Sequence, residues 1–89
     1  MLNTFRLDIT TPQGSEYSGD IIHAQIPLDF GCMGVLANHA PIVTILGSGL
    51  CRLREKSGAE VLFKVGEGVF SVAHNTATLL TQSLEKAAS

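Results

Sequence analysis

The sequence predicts an all-β domain, because short runs of alternating apolar and polar residues recur along the chain with turn residues between them. These runs follow one another at intervals of about ten residues, which is typical of small all-β folds. No run is long enough to supply the crossover helices that a parallel sheet needs. The predicted architecture is therefore antiparallel, either a β-sandwich or a small barrel.

Size and composition fit one globular domain with a single core. The chain has 89 residues, of which 45% are hydrophobic and 16% charged, and its formal net charge is −2 at pH 7. These proportions argue against disorder, and without a basic stripe we expect no nucleic-acid partner. No apolar run approaches the about 20 residues that cross a bilayer, and residues 1–6 lack the order of a signal peptide. We therefore expect the chain on the cytosolic side of any membrane.

The first strands are predicted from alternation and from the residues that interrupt it. Apolar and polar residues alternate over 5–10, and proline and glycine within 11–15 stop this run. A second strand is predicted over 20–26, and Pro27 is expected to end it because proline donates no backbone hydrogen bond.

The middle of the chain is predicted as a loop over 28–34, a short strand at 35–36 and a stronger strand over 42–46. This last run is almost continuously apolar, which indicates burial on both faces. Such a strand is either central in its sheet or covered by a partner.

The second half repeats the hairpin pattern, with strands at 51–54, 61–65, 69–73 and 76–81 and turns at 56–59, 66–68 and 74–75. Asn75 tolerates the left-handed conformation that a tight turn uses. Residues 83–89 have helix-friendly composition but are too few for a stable isolated helix, so they are predicted to form a frayed tail.

Residues that could carry chemistry are scattered. Cys32 and Cys51 lack C-x-x-C spacing and are interpreted as reduced, partly buried residues, although a disulfide between them stays possible. His23, His39 and His74 lack metal-ligand spacing. The acidic residues are dispersed, and no nucleophile elbow or phosphate-binding loop is present. The sequence therefore predicts no catalysis, no metal and no cofactor.

The segment from Phe30 to Thr44 contains more than a turn requires. It reads Gly-Cys-Met-Gly-Val-Leu, two residues, His-Ala-Pro, two apolar residues and threonine. This pattern resembles the signature of the epsilon subunit of F-type ATP synthases, whose mitochondrial equivalent is called delta. The similarity covers the whole chain, including the opening run at 5–12, the glycine turn at 65–68 and Asn75 before the last strand.

The resemblance implies a two-sheet antiparallel β-sandwich in the central stalk, or rotor, at the cytoplasmic face of a bacterial membrane. Such a subunit is not catalytic. It links the gamma subunit to the c ring, couples ion translocation to ATP synthesis and meets the membrane only through the c ring. The implied c-ring contacts are Gly31, Cys32, Met33 and Gly34. The implied gamma contacts are His39, Ala40, Pro41, Ile42, Val43 and Thr44.

Two departures from the family pattern bear on these contacts. Many members carry a carboxylate where this chain has Cys32, so we expect a less charged ring contact in which an exposed Met33 supplies soft apolar surface. The helical hairpin that usually follows the sandwich is absent, which predicts a domain over 1–82 and a tail over 83–89. This chain is then either a naturally short subunit or a piece of a longer one.

Two further interpretations stay open at this stage. His39 is expected to satisfy backbone carbonyls, with a pH-sensing role as the alternative. The alternative function for the whole chain is a free-standing β-sandwich that binds a ligand or another protein. A ligand module would need an internal cavity, for which so small a core leaves little room.

Overall fold

Nine β-strands make up the fold in a computed structural model that describes residues 3–88. They are β1 Phe5–Thr11, β2 Gly14–Leu28, β3 Gly31–Leu36, β4 Ile42–Leu46, β5 Gly49–Glu55, β6 Glu60–Val65, β7 Gly68–Ala73, β8 Thr76–Thr81 and β9 Leu84–Ala88. The described residues include no helix, so none there could span a membrane. The all-β prediction is confirmed, and each strand predicted from alternation has a counterpart.

The long strand β2 joins the two halves of the molecule. Its first half pairs with β1, and its second half pairs with β5 on one side and β3 on the other. From β1 the ladder continues through β8 and β7 to β4, and from β5 it continues through β6 to β9. We call β1, β8, β7 and β4 the first layer of the sandwich, and β3, β2, β5, β6 and β9 the second layer.

One pair of strands departs from the predicted antiparallel arrangement. β1 and β8 run parallel, with Leu7 opposite Ala77 and Ile9 opposite Leu79. These two strands are far apart in sequence and no short hairpin joins them. They can therefore pair in either the parallel or the antiparallel direction. The remaining ladders are antiparallel.

The core is filled by alternate residues of the strands, as the period of a pleated strand requires. Leu7, Ile9, Phe70 and Leu79 of the first layer have no exposed surface, and neither has Leu53 of the second layer. The residues between them in sequence point outward. The two outward faces therefore hold whatever side chains are available to partners.

Two predicted turns are fixed by backbone geometry. A Cβ atom on Gly68 would lie 1.8 Å from the carbonyl oxygen of Leu80, so the close approach of β7 to β8 admits only glycine there. In the β7–β8 turn, His74 and Asn75 have φ angles of 51° and 61°, as in a type I′ hairpin turn. The prediction that Asn75 adopts the left-handed conformation is confirmed.

The predicted loop over 28–34 is wrong in part, because β2 runs on to Leu28 and β3 already begins at Gly31. Pro27 does not end β2. It lies opposite Cys32 in the β2–β3 ladder, and its carbonyl accepts a hydrogen bond from the Gly47 amide at 3.0 Å. Proline lacks only the donor, so it remains compatible with a strand position where its acceptor alone is used.

The prediction that β4 is buried on both faces is wrong for this chain. Ile42, Val43 and Ile45 are 38%, 74% and 59% exposed, whereas Leu46 is buried. The strand pairs along its length with β7 but meets β2 only where Leu46 lies opposite Leu28. No second sheet covers its outer side, so the other interpretation of this run, cover by a partner, stays open.

The end of the chain is ordered differently from the predicted frayed tail over 83–89. Leu84–Ala88 form β9, which pairs antiparallel with β6, and Leu84 packs against the core. Five residues cannot form a helix of their own, but they can add to an existing strand edge that supplies their hydrogen-bond partners. Ser89 lies outside the described residues, as do Met1 and Leu2 of the predicted 1–82 domain, whose boundary stays a prediction.

Candidate protein-contact surfaces

The outer face of the first layer carries a row of apolar side chains. Ile45 of β4 lies opposite Val69 of β7, which lies opposite Leu80 of β8. Val43 lies on the same face, two residues before Ile45. Val43, Ile45 and Leu80 are 74%, 59% and 50% exposed. We call Val43, Ile45, Val69 and Leu80 the apolar strip.

A groove of about 290 Å³ lies beside the apolar strip. Its lining combines two members of the strip with residues from the end of β1, the β1–β2 turn, the start of β7 and the end of β8: Thr10, Thr11, Pro12, Gly68, Val69, Leu80, Thr81 and Gln82. The apolar side chains and the adjacent groove give this surface a shape that a complementary protein surface can pack against.

Charged groups at the margin of this face are paired with one another. Arg6 donates a hydrogen bond to the Ser18 hydroxyl, which in turn donates to Asp8, and the Arg6 Nε lies 3.5 Å from the Asp8 carboxylate. The apolar strip is thus bordered by a satisfied polar network. An apolar centre with a polar rim is the usual organisation of a protein interface.

The turn between β2 and β3 presents a second apolar surface. Phe30 stands in this turn with 93% of its surface exposed. The predicted c-ring residues Gly31–Gly34 follow directly and form the start of β3, so they belong to the stem of a hairpin that carries the exposed Phe30 in its turn. Phe30 had no predicted role, although an aromatic residue between Asp29 and Gly31 was a visible signal in the sequence.

Two neighbouring residues of this hairpin point in opposite directions. Cys32 is exposed, and Gln25 donates its side-chain amide to the Cys32 sulfur at 3.0 Å. Met33 instead lies opposite the buried Ile26, is half-buried and packs against the core. The expectation that Met33 supplies exposed interface surface is therefore wrong, because strand alternation turns it inward. A Met33→Asp change would place a carboxylate against the core.

The residues predicted to contact gamma divide into a loop and a strand. His39, Ala40 and Pro41 lie in the β3–β4 loop, and the His39 ring Nδ1 is 2.7 Å from the Ala40 carbonyl oxygen, as expected for a histidine that satisfies backbone carbonyls. The strand residues alternate. Val43 belongs to the apolar strip, whereas Ile42 and Thr44 lie opposite Val72 and Phe70 on the other side of β4.

Ile45 belongs to the apolar run over 42–46 for which cover by a partner was one prediction, but Val69 and Leu80 were missed because they come from two other strands. Ile45, Val69 and Leu80 each stand at an outward position of an alternating run, so an apolar residue at that position was the available signal. Their assembly into one row depends on the register of β4, β7 and β8.

The outer face of the second layer is mainly polar, although Leu36 and Leu50 are 58% and 53% exposed on it. Across β2, β5 and β6, His23 lies opposite Arg54, which lies opposite Glu60, and Gln25 lies opposite Arg52. Arg54 donates hydrogen bonds to the Gly58 carbonyl at 3.1 Å and to the Glu60 carboxylate at 3.2 Å. Arg54 and Glu60 thus satisfy one another at the surface.

A larger groove of about 460 Å³ lies between the β4–β5 corner and β9. Its lining is formed by Ser48, Gly49, Lys64, Val65, Ser83, Leu84 and Glu85. Both grooves are open at the surface, so neither is the internal cavity that a ligand-binding sandwich would need.

The most perturbed titratable groups belong to the interior and not to a site. Burial raises the pKa of the Cys51 thiol to about 12. Burial also raises the Tyr17 pKa, and so does the hydrogen bond that its hydroxyl donates to the Glu55 carboxylate at 2.5 Å. Tyr17 packs edge-on against Phe63, with 5.3 Å between ring centroids. Both groups are neutral at physiological pH, and no three metal-ligating residues cluster within residues 3–88.

Cys32 and Cys51 are both free. Cys32 is exposed and Cys51 is buried, so the prediction of two reduced residues holds, while partial burial does not describe either of them.

These surfaces define a class of protein: a small β-sandwich whose exposed apolar residues are arranged for contact with other proteins. Comparison with known proteins agrees with this class. The family model described as ATP synthase, Delta/Epsilon chain, beta-sandwich domain matches residues 4–87. The chain belongs to this family and is an epsilon/delta-type subunit of an F-type ATP synthase.

Relatives in sequence carry the same description at two different lengths. The ATP synthase epsilon chain of Chlorobaculum tepidum is 40% identical over 80 residues, which cover 90% of this chain and 91% of the relative. That of Pelotomaculum thermopropionicum is 37% identical over 84 residues, which cover 94% of this chain but 62% of the relative.

Solved structures support the fold. A chain in the mitochondrial ATP synthase of Euglena gracilis, in a structure of OSCP, F1 and c-ring, superposes with a TM-score of 0.87 at 20% identity. The match covers 93% of this chain and 53% of that one. A chain in the central stalk and c-ring structure of Tetrahymena thermophila gives a TM-score of 0.75 at 15% identity, covering 90% and 64%.

Proposed function

We propose that this chain is a non-catalytic subunit of the central stalk that links the gamma subunit to the c ring. In that position, at the cytoplasmic face of a bacterial membrane, it couples ion translocation to ATP synthesis. One observation carries the proposal: a domain of 89 residues exposes apolar side chains both on one face, at the apolar strip, and at the β2–β3 turn. Two such surfaces suit a part that is held by two partners.

The apolar strip is the proposed contact for gamma. Val43 and Ile45 follow the loop of His39, Ala40 and Pro41 in sequence, so the loop leads directly into the β4 part of the strip. A stable interface buries about 800 Å² per partner, which is about a sixth of the 5086 Å² that this chain exposes. The strip with its groove supplies the apolar centre, and the Arg6–Asp8 network supplies part of the polar rim.

The β2–β3 hairpin is the proposed contact for the c ring. Phe30 is its apolar anchor, and Gly31, Cys32 and Gly34 bring exposed backbone and a small thiol to the same surface. The Met33 side chain packs against the core and holds the hairpin on the sandwich, so its role in this contact is indirect. Aromatic residues at interface centres contribute more than most other types, which favours Phe30 as the residue that dominates this contact.

The mechanism is mechanical. Ion flow turns the c ring, and the sandwich, held to both the ring and gamma, prevents one from slipping against the other. Gamma rotation then drives nucleotide exchange in the catalytic subunits. The hydrogen-bonded ladder from β1 to β9 joins the two contact surfaces within one body, as torque transmission requires.

Reconstitution tests this function. ATP synthase is assembled in vesicles with and without this polypeptide, and ion-driven ATP synthesis is measured beside ATP hydrolysis by the catalytic subunits. We expect omission to abolish coupled synthesis while hydrolysis persists. Full coupling in vesicles that lack the chain would contradict the proposed function.

A further inference from the structure

Asn75 connects three separate segments of the chain through hydrogen bonds. Its side-chain Oδ1 accepts from the Asn38 backbone amide at 2.7 Å, and its side-chain Nδ2 donates to the Thr4 carbonyl at 2.8 Å. Its own carbonyl accepts from the Arg6 amide at 3.1 Å. One residue in the β7–β8 turn thus joins the β3–β4 loop to the segment that leads into β1.

The conformation of Asn75 makes this arrangement possible. Its φ angle of 61° lies in the left-handed region, where asparagine is tolerated better than most residues. Asn38, at the other end of the hydrogen bond, has a φ angle of 64°. The bond therefore joins two turns at their tips, and the side chain needs both an acceptor and a donor atom to serve Asn38 and Thr4 together.

The β3–β4 loop makes few other hydrogen bonds, although Ala37 at its start packs against the core. Within residues 3–88, the backbone hydrogen bonds outside the strand ladders include none from residues 37–41. The His39 contact with the Ala40 carbonyl is internal to the loop. The bond from the Asn38 amide to Asn75 is thus the described hydrogen bond that ties this loop to another part of the sandwich.

The loop leads directly into the apolar strip. Four residues separate Asn38 from Val43, and β4 is held along its length by β7 alone. A loop that is free to move at Asn38 would carry His39, Ala40 and Pro41 with it. Ordering such a segment on binding costs conformational entropy, which a preformed loop avoids.

We propose that Asn75 is a positioning residue that holds the β3–β4 loop in its binding conformation for gamma. This inference rests on the proposed function, because it takes the loop and the apolar strip as the gamma contact. Asn75 acts through Asn38 and does not need to touch gamma.

Two substitutions separate the parts of this role. Asn75→Gly keeps the left-handed backbone available but removes both side-chain bonds. Asn75→Asp keeps an oxygen that can accept from the Asn38 amide but loses the donor to Thr4. His74→Gly is the matched control, because it places glycine at the neighbouring left-handed position, and the His74 side chain makes no hydrogen bond among the described residues.

The readouts are amide exchange at Asn38 and His39 in the free protein, and the Kd for isolated gamma measured well below the unfolding temperature. For Asn75→Gly we expect faster exchange at both amides and gamma binding weakened about tenfold. Asn75→Asp should restore the affinity to within about twofold, since the bond to the loop is retained. A residue that only stabilised the fold would lower the unfolding temperature without this difference in affinity.

The inference is overturned if Asn75→Gly binds gamma as tightly as the unchanged chain, or if exchange at Asn38 is unaffected. It is also overturned if His74→Gly weakens binding as much as Asn75→Gly. Failure of the unchanged chain to bind gamma would count against the proposed function itself, and in that case loop exchange alone decides whether Asn75 orders the loop.

Discussion

The two outer faces of the sandwich follow the same alternation but differ in how their apolar residues are arranged. On the first layer, the outward positions of β4, β7 and β8 include Val43, Ile45, Val69 and Leu80. On the second layer, the outward positions of β2, β5 and β6 are mostly polar, and the apolar Leu50 and Leu62 stand singly among them. The polar residues there are His23, Gln25, Arg52, Arg54, Glu60 and Lys64.

The difference separates what folding requires from what binding requires. A half-exposed strand needs polar outward residues for solubility, and the second layer has them at most of its outward positions. On the first layer, several adjacent strands carry apolar residues at outward positions instead. These side chains point away from the core, so they do not stabilise it. A contiguous apolar surface of this kind supports the proposed contact with gamma.

The sharpest test of inward against outward positions is a pair of neighbours in β7. Phe70→Ala removes a fully buried ring and should lower the free energy of unfolding by about 3–5 kcal/mol. Val69→Ala, one residue earlier on the outer face, should cost about 1 kcal/mol or less. Denaturant unfolding measures both. Equal losses would mean that Val69 contributes to the core and that the apolar strip is not a free surface.

The next test compares the two outer faces with the same introduced charge. Ile45→Asp places a carboxylate in the centre of the apolar strip, and we expect gamma binding to weaken about 100-fold or more, since an unpaired charge would be buried there. Arg52→Asp introduces a carboxylate on the polar face and should leave the Kd within about threefold. If Arg52→Asp were the more damaging change, the proposed gamma face would be wrong.

A third test separates the β2–β3 turn from the apolar strip. Phe30→Ser should weaken binding to the isolated c ring about tenfold, because the side chain it removes would be buried there, and should leave gamma binding unchanged. Asp29→Ser alters the adjacent exposed residue of the same turn and is the control. Loss of gamma binding with Phe30→Ser would show that the two surfaces are not independent.

The smallest expected effect concerns the two cysteines, which lie on opposite sides of the second layer. Cys51 is buried, and its pKa is raised from 9.0 to about 12, whereas Cys32 is exposed. The unfolded chain therefore loses the Cys51 proton at lower pH than the folded chain does. The stability this thiol contributes is complete below pH 9 and is lost as pH rises toward 12, by at most about 1.4 kcal/mol per pH unit.

Unfolding free energies measured between pH 9 and pH 10 check this dependence, because Tyr17 begins to contribute at higher pH. Cys51→Ala should flatten the decline in this range, although it lowers stability at every pH by leaving a cavity. Cys32→Ala should leave the decline unchanged. An unaltered slope in Cys51→Ala would assign the pH dependence to other groups.

Local sequence patterns predicted most of the fold. The alternating runs, the glycine turn at Gly68 and the left-handed Asn75 all follow from interactions within a few residues, so each has a counterpart in the structure. The parallel pairing of β1 with β8 and the addition of β9 to β6 were not predictable in this way. Both depend on which strand edge is free once the rest of the chain has folded.

The candidate surfaces also combine features that local sequence predicts with features that depend on contacts between distant segments. The pattern from Phe30 to Thr44 located the β2–β3 hairpin and the β3–β4 loop. It could not show that the Met33 side chain points inward while Phe30 is exposed to solvent. Val69 and Leu80 join Ile45 only through cross-strand register, and Asn75 reaches Asn38 across 37 positions of sequence.

The sequence by itself determined an all-β domain, its turns and its family pattern, because these depend on alternation and on the conformational preferences of single residues. Only the tertiary structure decided which outward positions form one surface. Strand register and sheet order bring together side chains that are distant in the chain, and no local rule records those distances.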